Sequence, residues 1–217
     1  MTATQSDPVL YGYFRSTAAY RVRIALGLKG VIAEHRFVHL RNGEQNEEAY
    51  LKINPAGLVP YWIDGELQLA QSLAIIEYLD ETCPEPPLLP DSAAARAVAR
   101  EMALAVCSDI HPIGNLRVLK RLGDLAIDDT ARNAWSQHWI SIGFEALEKR
   151  LASIGGGPFA FGTRPTLPDI CIVPQVFNAR RFGVDLAPYP RIRAIDAAAS
   201  EIDAFAAAAP HRQPDAT

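Results

Sequence analysis

Apolar and polar positions alternate in short blocks over the first ninety residues, then give way to long Ala-rich stretches with a helical repeat. Residues 9–14 are short and aromatic, as a strand would be. Residues 17–28 carry Val22, Ala25, Leu26 and Leu28 at helical spacing before Gly30. A second strand is expected over 35–40, and a helical crossover of this kind joins parallel strands. Asn54-Pro55-Ala56-Gly57 breaks the chain, residues 59–63 read as a strand, and Asp64-Gly65 is a tight turn before 68–70, which makes a hairpin. Ser72 then opens a helix through Leu73, Ile75, Ile76 and Leu79. The order is βαβ, then ββα.

Pro84, Pro86, Pro87 and Pro90 crowd seven residues and read as a linker, because proline fixes its own φ and pushes the preceding residue out of the helix. Beyond it, helices are expected over 93–110, 130–151, 167–181 and 190–208, with no further strand. The expected fold class is therefore α+β with two domains, residues 1–90 and an all-α domain over 91–217. Thr166-Leu167-Pro168-Asp169 has capping-box spacing, which makes Asp169 structural rather than catalytic.

Composition narrows the possibilities. The 217 residues are 49% hydrophobic, enough for a buried core, and 21 basic against 25 acidic side chains spread along the chain leave no basic footprint for nucleic acid or an anionic membrane. An anionic ligand must then be met by local arginines. Cys83, Cys107 and Cys171 are too few and too far apart for a disulfide framework or a metal site, and they fit a reducing compartment. Met1 to Pro8 lack the basic and apolar regions of a leader, and no apolar run reaches the length of a membrane span, so a cytoplasmic protein is expected.

The candidate chemistry begins where the first strand hands over to its helix. Arg15, Ser16 and Thr17 put a cation and two hydroxyl donors at a helix start, where open N–H groups favour an anion. Gln71 and Ser72 repeat that arrangement at another helix start, suited to a carboxylate. Ser16 and Ser72 as plain N-caps are the bland alternatives.

Several long motifs, in order, carry a resemblance. They are Arg15-Ser16 with Arg21-Val22-Arg23-Ile24-Ala25-Leu26, Asn54-Pro55 with Val59-Pro60, and Gln71-Ser72-Leu73-Ala74-Ile75-Ile76-Glu77-Tyr78-Leu79. Asp109-Ile110-His111-Pro112 with Asn115, Val173-Pro174-Gln175-Val176 with Ala179-Arg180-Arg181-Phe182, and Pro188-Tyr189-Pro190 follow. Over nearly its whole length the chain resembles the glutathione S-transferase superfamily, and most sharply its zeta class, which includes maleylacetoacetate and maleylpyruvate isomerases. The resemblance implies a thioredoxin-like N-terminal domain before the helical one, glutathione as cofactor and a homodimer.

It also implies roles. Ser16 is the favoured thiolate donor, with Thr17 beside it. Val59 pairs by its backbone with the cysteinyl part of glutathione and Pro60 is cis. Gln71 and Ser72 hold the γ-glutamyl end, and Gln45, His111 and Asn115 add cofactor contacts. Arg15, Arg117 and Arg180 are candidates for the carboxylates of a dicarboxylate substrate, since guanidinium matches carboxylate in a bidentate fork.

A hydroxyl donor is needed on energetic grounds. A thiol of pKa ~8.5 is about 3% ionised at pH 7, and bringing it to about 6.5 takes roughly 2.7 kcal/mol of selective stabilisation. A helix N-terminus supplies about 0.3–1 kcal/mol, up to about 2 in favourable sites.

One departure stands out. The common zeta-class pattern after the first serine is Ser-Cys-Ser-Trp, whereas this chain has Thr17-Ala18-Ala19-Tyr20. Loss of the cysteine also argues against thiol-transferases that use their own nucleophilic sulfur. Tyr11 and Tyr13, the other possible donors, sit in a strand pattern that favours packing. The preferred reading is a glutathione-dependent cis–trans isomerase of a maleyl-type keto-diacid. The alternatives are a general glutathione transferase acting on small electrophiles and a catalytically idle binding protein of the same fold.

Overall fold

The computed structural model describes residues 7–217. Most of the stretch read above as lacking a leader lies outside them. Two compact units emerge, one running to Pro86 and taking in Ile202–Thr217, the other Pro87–Glu201. The sequence pattern divided the chain at 90/91 and assigned all of the C-terminal stretch to the helical domain. The last sixteen residues instead pack with the first unit.

In the first unit, β1 (Val9–Gly12) leads into α1 (Thr17–Lys29), β2 (Glu34–Phe37), a short helix α2 (Glu48–Leu51), β3 (Tyr61–Asp64), β4 (Leu67–Ala70) and α3 (Ser72–Thr82). The sheet order is β2-β1-β3-β4, with β1 and β2 parallel and the other neighbours antiparallel. This is the thioredoxin-like arrangement that the resemblance implies. Register decides which face each residue serves. Leu10 stands opposite Trp62, and both are buried on one face. Tyr11 stands opposite Tyr61 on the other, in a cluster with Val38 and Tyr50 that Val59 packs against. Helices α1 and α3 pack together, and Ile24 on the first and Ile75 and Leu79 on the second are buried.

Helix α1 ends where expected, at Gly30 in the left-handed conformation with its N–H on the carbonyls of Leu26 and Gly27. Strand β2 is shorter than expected and fully exposed. It is an edge strand that matches only the four residues of β1, after which Val38 turns inward and donates to Gly12. From Ile202 the chain forms α9 (Asp203–Ala208), which lies against α1.

The second unit holds α4 (Ala93–Leu104), a wider π-helical stretch Ala105–Ile110, α5 (Leu116–Asp124), α6 (Asp129–Ile154), α7 (Leu167–Arg181) and α8 (Pro190–Ser200). It is all-helical, with α7 at its centre and nearly every α7 side chain buried. The capping box is present as read. Asp169 Oδ2 accepts from Thr166 N–H (2.7 Å) and Thr166 Oγ1 (2.9 Å), and Oδ1 accepts from Ala160 N–H (2.9 Å). Two expectations need correction. Helix α5 was not anticipated, and the single helix expected over 190–208 breaks at Glu201–Ile202, where Ile202 is extended and its carbonyl starts α9 by accepting from Phe205 and Ala206. All three cysteines are free thiols, with the Cys107 and Cys171 sulfurs 3.7 Å apart. Among the described residues no helix is long and apolar enough to cross a membrane, and no His/Cys/Asp/Glu group could hold a metal ion.

Candidate functional site

The turn between β1 and α1 is held from every side. Ser16 N–H donates to the Tyr13 carbonyl at 3.0 Å and Tyr20 N–H to the Ser16 carbonyl at 2.8 Å, which closes the turn and starts the helix. Arg23 reaches back from α1 to donate to the carbonyls of Tyr13 (3.4 Å) and Phe14 (3.0 Å), while Asp215 accepts from Phe14 N–H at 2.8 Å. Burial pulls the Arg23 guanidinium down to about 10, partly offset by the Asp215 carboxylate.

Ser16 is the N-cap of α1, its hydroxyl oxygen accepting from Ala19 N–H at 3.2 Å. The capping bond uses a lone pair and leaves the hydroxyl proton available, so the cap and a donor to an anion coexist in one side chain. Thr17, first residue of the helix, is buried. The Arg15 guanidinium leans over the Phe14 ring, and its Nε is buried with no hydrogen-bond partner. Tyr11 and Tyr13 are both core residues, and Tyr11 Oη accepts from Arg36 at 2.9 Å.

The remaining first-unit candidates sit on the loops around the sheet. Tyr50 Oη and Asn54 Nδ2 each donate to the Leu58 carbonyl at 2.7 Å, which fixes the peptide just before Val59. The Val59–Pro60 bond is cis. Gln45 lies in the single turn Glu44–Asn46, its Oε1 buried and unpartnered. Gly57, at φ 59°, passes so close that a Cβ there would stand 2.9 Å from the Gln45 carbonyl oxygen. Gln71 is exposed and takes φ 73°, unusual for a residue with a side chain, and so turns the chain sharply into α3. Ser72 is buried, and its Oγ accepts from Arg21 Nη1 at 3.3 Å. Arg21 is 1% exposed, and its Nε and Nη2 have no partner.

In the helical unit, His111 follows the π-helical stretch and is half-buried. Asn115 caps α5, its Oδ1 accepting from the N–H of Arg117, which is exposed in the first turn. Arg180, in the last turn of α7, is ion-paired with Asp196 of α8, so a carboxylate ligand there would compete with Asp196.

Residues 7–81 match the family Glutathione S-transferase, N-terminal domain. A probable maleylacetoacetate isomerase of Vibrio cholerae is 50% identical over 211 residues, covering 96% of this chain and 98% of its own length. A maleylpyruvate isomerase of Ralstonia sp is 50% identical over 208 residues, covering 95% and 98%. The chain belongs to the zeta-class glutathione S-transferase and maleyl isomerase family. Solved structures agree. The holo structure of a zeta-class bacterial maleylpyruvate isomerase superposes with TM-score 0.94 at 49% identity, over 96% of this chain and all of the other. A maleylacetoacetate isomerase of Anaeromyxobacter dehalogenans with glutathione in its active site gives 0.89 at 42% identity, over 98% and 100%. The same enzyme has also been solved with dicarboxyethyl glutathione and citrate bound.

The open groups of the first unit fit that cofactor. Among the described residues, donors on Arg21 and an acceptor on Gln45 are buried without protein partners, a mix that suits a peptide with both ammonium and carboxylate ends. The zeta-class departure at Ala19 also has a physical setting. Ala19 is fully buried beneath Gly12, where a Cβ would meet its own at 3.5 Å.

Arg21, Arg23 and Asp215 were absent from the sequence-derived site. The two arginines carried a usable signal, since Tyr20, Val22, Ile24, Ala25 and Leu26 surround them with apolar residues and leave α1 no polar face. Asp215 carried none.

Proposed function

We propose that this chain is a glutathione-dependent cis–trans isomerase of a maleyl-type keto-diacid, maleylacetoacetate or maleylpyruvate. The observation that carries the reading is full-length likeness at 50% identity to isomerases of both names. Glutathione, when bound, would supply a nucleophilic sulfur whose addition turns the conjugated double bond into a rotatable single bond and whose departure restores the double bond.

The chain's own residues have the following parts. Ser16 donates its hydroxyl proton to the sulfur at the start of α1, whose open N–H groups reinforce the anion, with Thr17 as neighbouring donor. Ser72, braced by Arg21, and Gln71 hold the γ-glutamyl carboxylate. Val59 offers its backbone to the cysteinyl part, beside cis-Pro60, and Gln45 accepts from a donor of the tripeptide. Arg15 meets a substrate carboxylate and the negative charge that develops on the adjoining carbonyl. His111 and Asn115 are proposed as further cofactor contacts, and Arg117 and Arg180 as further carboxylate contacts. A cytoplasmic homodimer is proposed from the family. Sedimentation equilibrium at twice the chain mass supports the dimer, and a single-chain mass removes it.

An absorbance assay with each keto-diacid, with and without catalytic glutathione, tests the activity while free thiol is titrated. Turnover that needs glutathione and leaves its thiol undiminished is expected. Thiol consumed by small electrophiles, without isomerisation, would establish a transferase instead. Ser16→Ala should lower turnover tenfold or more, and wild-type turnover in that variant would move the donor role to Thr17.

A further inference from the structure

The cofactor turn is fastened to a distant part of the chain. Phe14 donates its N–H to Asp215 Oδ2 at 2.8 Å across 201 residues of sequence, and its carbonyl accepts from Arg23 Nη2 at 3.0 Å. Both polar groups of the residue just before Arg15 are therefore set by charged side chains. Arg23 also donates through Nε to the Ala208 carbonyl (3.0 Å) and through Nη1 to the Tyr13 carbonyl (3.4 Å), so one guanidinium ties the turn to the end of α9. The segment carrying Asp215 is itself anchored, since Gln213 Nε2 donates to the carbonyls of Ala207 (2.9 Å) and Ala209 (3.0 Å). Tyr20 Oη donates to the Phe205 carbonyl at 3.4 Å, and the Arg23 guanidinium stacks on the Tyr20 ring.

We propose that Asp215 is a positioning residue for glutathione binding, acting through the Phe14 peptide to hold Ser16 where the cofactor requires it, with Arg15 beside it at the substrate end. The role needs no contact between Asp215 and cofactor or substrate, although its second oxygen, Oδ1, is buried without a partner among the described residues. A charged acceptor on a backbone N–H makes a stronger bond than a neutral one, and bonds on both sides of one residue fix its peptide planes. Arg15 and Ser16 follow directly, and the Ser16 donor must meet sulfur within a few tenths of an ångström to be effective. The inference rests on the isomerase reading only for what the turn binds.

The test measures glutathione affinity by calorimetry and the ionisation of bound thiol by ultraviolet absorbance, beside kcat and KM. Asp215→Ala should weaken glutathione binding on the order of tenfold and raise the bound thiol's pKa, with KM for glutathione rising more than kcat falls. Asp215→Asn keeps an acceptor for Phe14 N–H without the charge and should fall between Asp215→Ala and wild type. It carries the test if Asp215→Ala fails to fold. Tyr78→Phe, which loses the Tyr78–Asp64 hydrogen bond in the same unit, serves as control for plain loss of stability and should leave affinity and thiol ionisation unchanged. Wild-type affinity and thiol ionisation in folded Asp215 variants would overturn the proposal, as would an equal change in Tyr78→Phe. Wild-type turnover in Ser16→Ala would instead remove Ser16 as donor while an affinity loss in Asp215→Ala still stood.

Discussion

A fully buried arginine with two unpartnered nitrogens is an expensive residue, and Arg21 is one. Its guanidinium is desolvated, and the 3.3 Å contact to Ser72 is a small return while Nε and Nη2 lack partners among the described residues. Exchange for a methionine of similar length removes that desolvation cost, and buried charges replaced this way often leave stability equal or higher. The same exchange takes away the donor that orients Ser72. Arg21→Met should therefore melt at or above the wild-type temperature while binding glutathione on the order of tenfold more weakly. Calorimetry and thermal unfolding on the same preparation check both halves. Lower stability with unchanged affinity would make Arg21 a structural residue only. The sequence showed the motif that contains Arg21 and Arg23 but not their burial, because charge alone points outward. Only the apolar residues surrounding them along α1 argue otherwise.

At the scale of elements, what was readable is what is local. Gly30, Asp64-Gly65 and the Thr166–Asp169 box each act within a few residues, and each ends or starts an element where expected. The Asp169 box also yields a pH prediction. Burial pushes its carboxyl from 3.8 up to about 6, against the pull of the hydrogen bonds it accepts from Thr166 and Ala160. Folding thus favours the protonated acid. The contribution of Asp169 to stability is fully present below about pH 4 and is lost as pH rises through about 6. In a series of urea midpoints, wild type should lose stability between pH 4 and 6 relative to Asp169→Asn, whose side chain does not titrate, and parallel curves would refute the assignment. The elements missed were those whose ends lack local signals. Helix α5 is nine residues of mixed character between two longer helices, and the break at Glu201–Ile202 carries neither glycine nor proline. Ala-rich sequence runs on through it, so periodicity reads one helix where packing makes two.

Across the whole molecule, that break changes what belongs to what. Residues 202–217 leave the helical unit and lie on α1, with Phe205 and Ala208 buried. Such docking is a long-range choice that composition does not encode, whereas the β3–β4 hairpin rests on a turn within its own few residues. The close approach depends on one small residue. A Cβ placed on Gly27 would stand 3.0 Å from the Ala204 Cβ and 3.2 Å from its Cα. An alanine there would gain helix propensity of about 1 kcal/mol against a contact of a few tenths of an ångström too close, and the sign is set by whether α9 yields. A valine adds branches facing backbone that cannot rotate away. Gly27→Val should cost about 1–3 kcal/mol and raise amide exchange throughout 202–217 before the helical unit responds. Because that segment carries Asp215, glutathione affinity should fall along with the protection. Retained protection of 202–217 in Gly27→Val would mean that α9 is held to α1 by more than this contact.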